Sequence, residues 1–139
     1  MKLIVDANVL FSALIKEGLT AELLISDKLQ FFAPEFLFTE FAKYKDLILR
    51  KTHRNEEDFN KFLEILKEQI SIVPKKEITP FMHEANKISP DPKDTVYFAL
   101  AIALKSNIWS NDKKLKQSQI KINVFSTEEL LKRTELIKT

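Results

Sequence analysis

The chain opens with a segment that determines its architecture, because Met1 is followed by Lys2-Leu3-Ile4-Val5-Asp6-Ala7-Asn8-Val9-Leu10-Phe11. Residues 3–5 form an unbroken apolar run, which is typical of a short strand buried on both faces. Residues 7–16 then have a helical pattern. Asp6 therefore stands at the carboxyl end of a buried strand, where an ionised carboxylate is costly unless it is paired, hydrogen-bonded or bound to a metal. Alternatively, Asp6 caps the helix that follows it.

Strand-like and helical segments alternate over the rest of the chain. Further strands are predicted at residues 30–33, 71–73, 107–110 and 122–125. Helices are predicted at residues 20–28, from Pro34 to about Lys51, and at residues 55–69, 79–88 and 95–105, with a last helix that begins at Ser126 or Thr127. Gly18, the single glycine, is expected to end the first helix. The alternation predicts an α/β fold whose parallel sheet is covered by helices on both faces, in one domain over residues 1–139.

The composition excludes several classes of protein and of site. The 139 residues include no cysteine, which excludes disulfides and thiolate metal sites, and only two histidines, which are too few for a histidine-rich zinc site. No apolar run approaches the roughly 18 residues of a membrane span, and the opening segment lacks the layout of a signal peptide. The net charge of +2 is compatible with a nucleic-acid partner without requiring one. We therefore expect a soluble cytoplasmic protein.

Four acidic residues stand out because each lies against an apolar stretch: Asp6, Glu40, Asp94 and Asp112. Ligands of parallel sheets bind beyond the carboxyl ends of the strands. Asp6 and Asp112 follow predicted strands and should lie at that edge. Asp94 is expected in the first turn of the apolar helix predicted after it, one connection away, and Asp91 is a further candidate for the same group.

Each of these acids also has a purely structural interpretation. Asp91 followed by Pro92 is typical of a helix N-cap, and Asp94 would then favour the helix dipole. Asp112 could cap the next helix, and Glu40 could form a weak surface ion pair. We favour a shared role, because the acids are expected to converge on one edge of the sheet.

A group of carboxylates at one edge would need a cation. At 4 Å and an effective dielectric of about 20, each like-charge pair costs roughly 4 kcal/mol. Either a cation offsets this repulsion, or some of the groups hold protons. Oxygen ligands without thiolate or imidazole favour Mg²⁺ or Mn²⁺. The chemistry that such a site suits is metal-assisted hydrolysis of a phosphodiester.

The ordered set of residues resembles the PIN domain family. The similarity rests on Asp6-Ala7-Asn8 after the first strand, Glu40 in the third helix, Asp94 before Val96-Tyr97-Phe98-Ala99-Leu100-Ala101, and Ser110-Asn111-Asp112 after a strand. It implies a three-layer fold with a five-stranded parallel sheet of order 3-2-1-4-5. It also implies a Mg²⁺- or Mn²⁺-dependent endoribonuclease. In such an enzyme Asp6, Glu40, Asp94 and Asp112 would bind metal and activate water, with Asn8 and Ser110 at supporting polar positions.

The resemblance leaves the biological role and the partners open. Many small PIN domains are VapC-type toxins held inactive by an antitoxin, and others process RNA without an obvious partner. Lys93, Lys113 and Lys114 lie close to the acids in sequence and are the cations best placed to contact an RNA phosphodiester. Tyr97 could stack on a base. Phenylalanines bunched at residues 31–41 could form a partner surface, either for a homodimer or for an antitoxin.

Two other functions are compatible with the same fold. One is a non-catalytic module that binds nucleic acid or protein, which the presence of all four acids does not favour. The other is DNA cleavage by a 5′-nuclease-like enzyme, although the short chain lacks the extra helical elements that we would expect in such an enzyme.

Overall fold

The computed structural model describes residues 1–15, 19–117 and 121–134. At its centre is a five-stranded sheet made of β1 (Lys2–Val5), β2 (Gln30–Pro34), β3 (Ile70–Val73), β4 (Asn107–Trp109) and β5 (Val124–Phe125). All neighbouring strands are parallel, and their order is β3-β2-β1-β4-β5. The α/β fold and the strand order of the sequence analysis are confirmed. The predicted helix end at Gly18 lies outside the described residues.

The apolar run at the start of the chain explains why β1 is the central strand. Leu3, Ile4 and Val5 are all completely buried. Successive side chains of a strand point to opposite faces of the sheet, so Leu3 and Val5 join one hydrophobic core while Ile4 joins the other. Such a strand is stable only in the middle of a sheet that is covered on both sides.

Helices supply those two covering layers. They are α1 (Ala7–Ile15), α2 (Leu19–Leu24), α3 (Phe36–Lys43), α4 (Lys45–Thr52), α5 (Glu56–Gln69), α6 (Lys75–Ile78), α7 (Met82–Asn86), α8 (Thr95–Leu104), α9 (Lys113–Gln117) and α10 (Thr127–Arg133). Two short 3-10 helices lie at Thr79–Phe81 and Pro92–Asp94. Apolar side chains of α1, α3, α5 and α10 belong to the core on one face, and those of α7 and α8 belong to the core on the other.

Helix α8, which is apolar nearly all round, is buried as predicted. Its residues 97–101 are all buried, and they form much of the second core. No helix within the described ranges is both long and apolar enough to cross a membrane.

Pro34 does not open a helix, contrary to the expectation from the sequence. It is the last residue of β2 and is paired with Val73 of β3. The register between β1 and β2 ends at Phe32, opposite Ile4. At position 34 there is therefore no hydrogen bond to β1 that would need a backbone N–H. The strand can extend through Pro34, although proline has no N–H to donate.

The single helix predicted for residues 34–51 is two helices, α3 and α4, which meet at Tyr44. The backbone of Tyr44 has φ −100° and ψ 14°, outside the helical range. Phe41 is buried, but the positions three and four residues later are Tyr44, which is exposed, and Lys45, which is charged. The apolar face that would hold a continuous helix against the core is interrupted there, and it resumes at Ile48.

The end of α8 generates a prediction about stability. Lys105, its C-cap, has φ 51° and ψ 49°, the left-handed region that only glycine adopts without strain. We expect Lys105→Gly to stabilise the fold by roughly 0.5–1 kcal/mol in urea unfolding, since relief of the strain exceeds the extra freedom of glycine in the unfolded chain.

Lys87 provides the matched control, because it is also an exposed lysine at a helix C-cap but has φ −72° and ψ −24°. Lys87→Gly should destabilise the protein by up to roughly 1 kcal/mol. Equal effects of the two substitutions would contradict the left-handed conformation of Lys105.

Candidate active site

Asp6 lies directly beyond β1 and is buried, with only 7% of its surface exposed. Its Oδ1 accepts a hydrogen bond from the backbone N–H of Asn8, at 3.2 Å, and its Oδ2 accepts one from Ser110 Oγ, at 2.8 Å. The first bond caps α1, as the structural interpretation predicted. The second links the carboxylate to the end of β4, so capping accounts for only one of its two oxygens.

Ser110 connects Asp6 to the backbone that carries Asp112. The buried Ser110 hydroxyl donates to Asp6 and accepts from the backbone N–H of Asp112, at 3.1 Å. Asp112 is exposed, and its Oδ1 accepts from the backbone N–H of Lys114, at 2.9 Å, which caps α9. Asp112 therefore has its predicted structural role, and it also lies at the carboxyl edge of the sheet.

The segment after β4 is fixed to the start of α10. Asn111 exchanges two hydrogen bonds with Thr127: its Nδ2 donates to the hydroxyl, at 3.0 Å, and its Oδ1 accepts from the backbone N–H, at 2.8 Å. Trp109 Nε1 also donates to the Thr127 hydroxyl, at 3.0 Å. These bonds hold the residues on both sides of Ser110 in place.

Asp94 approaches the same edge from the other side of the sheet. It is the last residue of the 3-10 helix and precedes α8 directly, instead of lying in the first turn of α8 as expected. Asp91 caps this 3-10 helix, with its Oδ1 accepting from the backbone N–H of Lys93, at 2.9 Å. The capping interpretation of Asp91 is thus confirmed, and its charge still acts on Asp94.

The electrostatics place Asp94 close to three other aspartates. Burial, and then the negative charges of Asp6, Asp91 and Asp112, raise the pKa of Asp94 to about 6, against a weaker lowering by Lys93. The pKa of Asp6 is also raised, mainly by burial and in small part by Asp112, while its hydrogen bonds from Ser110 and Asn8 act in the opposite direction. Side chains far apart in sequence are thus brought close enough to repel one another.

Tyr97 joins Glu40 to this group, and it is the site residue whose position the sequence analysis missed. Its ring is buried, and its pKa is raised by burial and by the charges of Asp6, Asp94 and Glu40, while a hydrogen bond with the Ala7 backbone lowers it. Because the Tyr97 ring is buried, the structure does not favour the stacking of a base on it. The spacing of three residues from Asp94 was the available signal, since it places both side chains on one face of a helical turn.

The donors at this edge are all oxygen atoms, which is the ligand type of Mg²⁺ and Mn²⁺. Within residues 1–15, 19–117 and 121–134, no group of three or more carboxylate or imidazole side chains is arranged so that it could hold a metal ion. Mg²⁺ is usually held by only one or two carboxylates and keeps several waters. The arrangement therefore fits a largely hydrated ion that relieves the repulsion among Asp6, Asp94 and Asp112.

The predicted RNA-binding lysines all lie beside these acids. Lys93 is exposed next to Asp94 and lowers its pKa. Lys113 and Lys114 are exposed at the start of α9, immediately after Asp112. Their contact with RNA stays a prediction.

The raised pKa of Asp94 predicts how stability depends on pH in the presence of a chelator. The folded protein binds the Asp94 proton more tightly than the unfolded chain, whose pKa is near 3.8. The contribution of Asp94 to the free energy of unfolding is therefore fully stabilising below about pH 4 and is lost as the pH rises through about 6. Asp94→Asn should be more stable than the wild type by about 1–2 kcal/mol above pH 7, less than the full shift implies because Asp94 is partly exposed. The difference should vanish near pH 4.

Thermal unfolding in EDTA across this pH range measures the effect. Asp27→Asn is the control, because Asp27 is exposed in the turn before β2, at the opposite edge of the sheet. A pH-independent difference between Asp94→Asn and the wild type would contradict the clustering of charge around Asp94.

Comparisons with known proteins agree with this fold. A family model described as PIN domain matches residues 4–136. Among solved structures, the chain is similar to a chain in the crystal structure of VapBC2 from Rickettsia felis bound to a DNA fragment from its promoter, with a TM-score of 0.68 and 15% identity. That match covers 91% of this chain and 98% of the other, and at this identity it shows the fold alone. None of the curated protein sequences matches the chain. The family match over nearly all of the sequence nevertheless decides the assignment: the chain belongs to the PIN domain family.

Proposed function

We propose that residues 1–139 form a single domain that cleaves RNA as a Mg²⁺- or Mn²⁺-dependent endoribonuclease. One observation carries the proposal most directly: Asp94 is partly buried, and Asp6, Asp91 and Asp112 lie close enough for their charges to add to the effect of burial, which together raise its pKa to about 6. A fold gains no stability from such repulsion, so the arrangement is best explained by a ligand that carries positive charge. Membership of the PIN domain family supports the same conclusion.

The residues around Asp6 prepare the site by fixing one carboxylate. The Ser110 hydroxyl and the Asn8 N–H each bind one oxygen of Asp6, so the group does not have to reorient when a ligand arrives. A divalent ion held here by one or two aspartates would supply Lewis-acid stabilisation and a more acidic bound water.

The charged residues around the aspartates orient the substrate in this proposal. Lys93, beside Asp94, places positive charge where a phosphate of the substrate would lie. Lys113 and Lys114 extend that charge past Asp112. Glu40, whose charge acts on Tyr97 as those of Asp6 and Asp94 do, is the fourth acid of the proposed set.

Cleavage of labelled single-stranded RNA in the presence of Mn²⁺ tests the proposal. We expect the wild type to cut the RNA, EDTA to stop the reaction, and Asp6→Asn to slow it by about 100-fold or more, since even residues that only support metal ligands often contribute roughly 10–100-fold. Asn can accept from the Asn8 N–H as Asp6 does, so the melting temperature of Asp6→Asn should stay unchanged or rise.

Asp27→Asn serves as the matched control and should cut at the wild-type rate. A matched DNA strand distinguishes the 5′-nuclease-like alternative, which predicts cleavage of DNA. Binding of RNA without cleavage under any metal condition would favour the non-catalytic module. A clear loss of stability in Asp6→Asn would instead give the charge of Asp6 a structural role.

The structural likeness to VapBC2 favours a second proposal, about partners. We propose that the chain is the toxin of a toxin–antitoxin pair, held inactive by a small protein encoded beside it. Induced expression in a bacterium should arrest growth, Asp6→Asn should abolish the arrest, and co-expression of the neighbouring reading frame should restore growth. Normal growth during expression of an enzyme that is active in vitro would contradict this role.

A further inference from the structure

A hollow of about 270 Å³ lies next to the acidic residues and has no place in the proposed chemistry. The apolar lining residues are Pro34, Phe36, Ile78, Met82 and Val96, and Glu35, Lys75 and Thr79 complete the lining. Nearly all of the exposed wall area is nevertheless apolar. We call this feature the Phe36 hollow.

The Phe36 hollow adjoins the acids through two residues. The Phe36 ring packs edge-on against the Tyr97 ring, with 6.1 Å between their centroids. The negative charges of Asp6, Asp94 and Glu40 in turn act on Tyr97. Val96, another lining residue, is two positions after Asp94.

Helix α3 places the hollow and Glu40 on the same side. Phe36 and Glu40 are four residues apart in this helix, so their side chains lie one above the other on one face. A molecule bound at the acids is therefore one helical turn, about 5 Å along the axis, from the Phe36 ring.

The chemistry of the walls selects a flat, uncharged group. Phe36 is 38% exposed although it is a large apolar side chain beside a polar site. A phosphate would lose its hydration against these walls without gaining hydrogen bonds. A nucleobase, in contrast, has an apolar face that stacks on aromatic side chains irrespective of its sequence identity. The exposed Lys75, which also lines the hollow, supplies a cation for the phosphate that a base would bring with it.

We propose that the Phe36 hollow binds the base of a nucleotide adjacent to the scissile phosphodiester and so positions the RNA at the acids. The proposal rests on RNA being the substrate, as proposed above, and adds the part of the substrate that is recognised. The volume of the hollow has room for one base.

Methyl NMR of the full chain tests the assignment without relying on turnover. In Asp6→Asn with Mg²⁺, the methyl resonances of Ile78, Met82 and Val96 should shift on addition of at least one of hexauridine, hexacytidine or hexaadenosine RNA. Inorganic polyphosphate, which has charge but no base, should leave these resonances unshifted. Phe36→Leu keeps an apolar side chain but removes the ring, and should weaken the titration about fivefold or more.

Tyr44→Leu is the matched control, because Tyr44 is an aromatic residue of similar exposure, 41%, at the other end of α3. It should leave the shifts at Ile78, Met82 and Val96 and their concentration dependence unchanged. Equal shifts with polyphosphate, or an unchanged affinity in Phe36→Leu, would overturn the assignment. Shifts that follow protein concentration instead of RNA would identify a second copy of the chain as the occupant, which also overturns it.

The two proposals can fail separately. If the wild type cleaves RNA but no hexanucleotide shifts these methyl resonances, the ribonuclease proposal is supported and the base-site proposal is refuted. If RNA shifts them but the wild type cuts nothing, the base site stands on a binding module. Where both hold, Phe36→Leu should raise the RNA concentration needed for half-maximal cleavage.

Discussion

The hydrogen bond from Ser110 Oγ to Asp6 Oδ2 is the interaction on which the candidate site depends. It exists because β1 and β4 pair in parallel with Val5 opposite Trp109, so the residues that follow each strand meet. The backbone N–H of Asp6 also donates to the Trp109 carbonyl, at 3.1 Å, and continues the ladder by one step. A slip of one residue in this register would exchange the faces of the strand and separate the two side chains.

The position of this bond in the sheet also explains why acids gather there. Strand β1 is joined to β2 on one side and to β4 on the other, so the connections from β1 and β4 leave in different directions and open a crevice. Asp94, ahead of α8, lies close enough for the charges of Asp6 and Asp112 to act on it, while the charge of Glu40 in α3 acts on Tyr97. The carboxylates thus come from four separate connections that have one edge of the sheet in common.

Much of the architecture could be predicted from the sequence because it follows from local patterns. The apolar run at residues 3–5 predicted a central strand, and the unbroken apolarity after Asp94 predicted a buried helix. Strand order followed from resemblance to a family and not from any local pattern. The end of β2 at Pro34 and the break at Tyr44 could not be predicted, since both depend on which neighbours are paired with or packed against those residues.

The site shows the same division between local and tertiary information. Caps at Asp6, Asp91 and Asp112 involve neighbours two residues away, and the sequence predicted each of them. Family resemblance gave Ser110 a supporting position but did not predict its hydrogen bond to Asp6, and the orientation of Tyr97 was missed, because both depend on how distant elements pack. An aspartate that caps a helix can therefore also belong to the candidate site, so the capping interpretation and the shared-site interpretation do not exclude each other.

The separation of Asp6 and Ser110 by 104 positions has a consequence for biosynthesis. A nascent chain on the ribosome carries the Asp6 carboxylate long before the serine that binds it and the aspartate that repels it have been translated. Incomplete translation products that stop before β4 lack this bond and the Asp112 carboxylate. The acids can therefore come together only after most of the chain has left the ribosome.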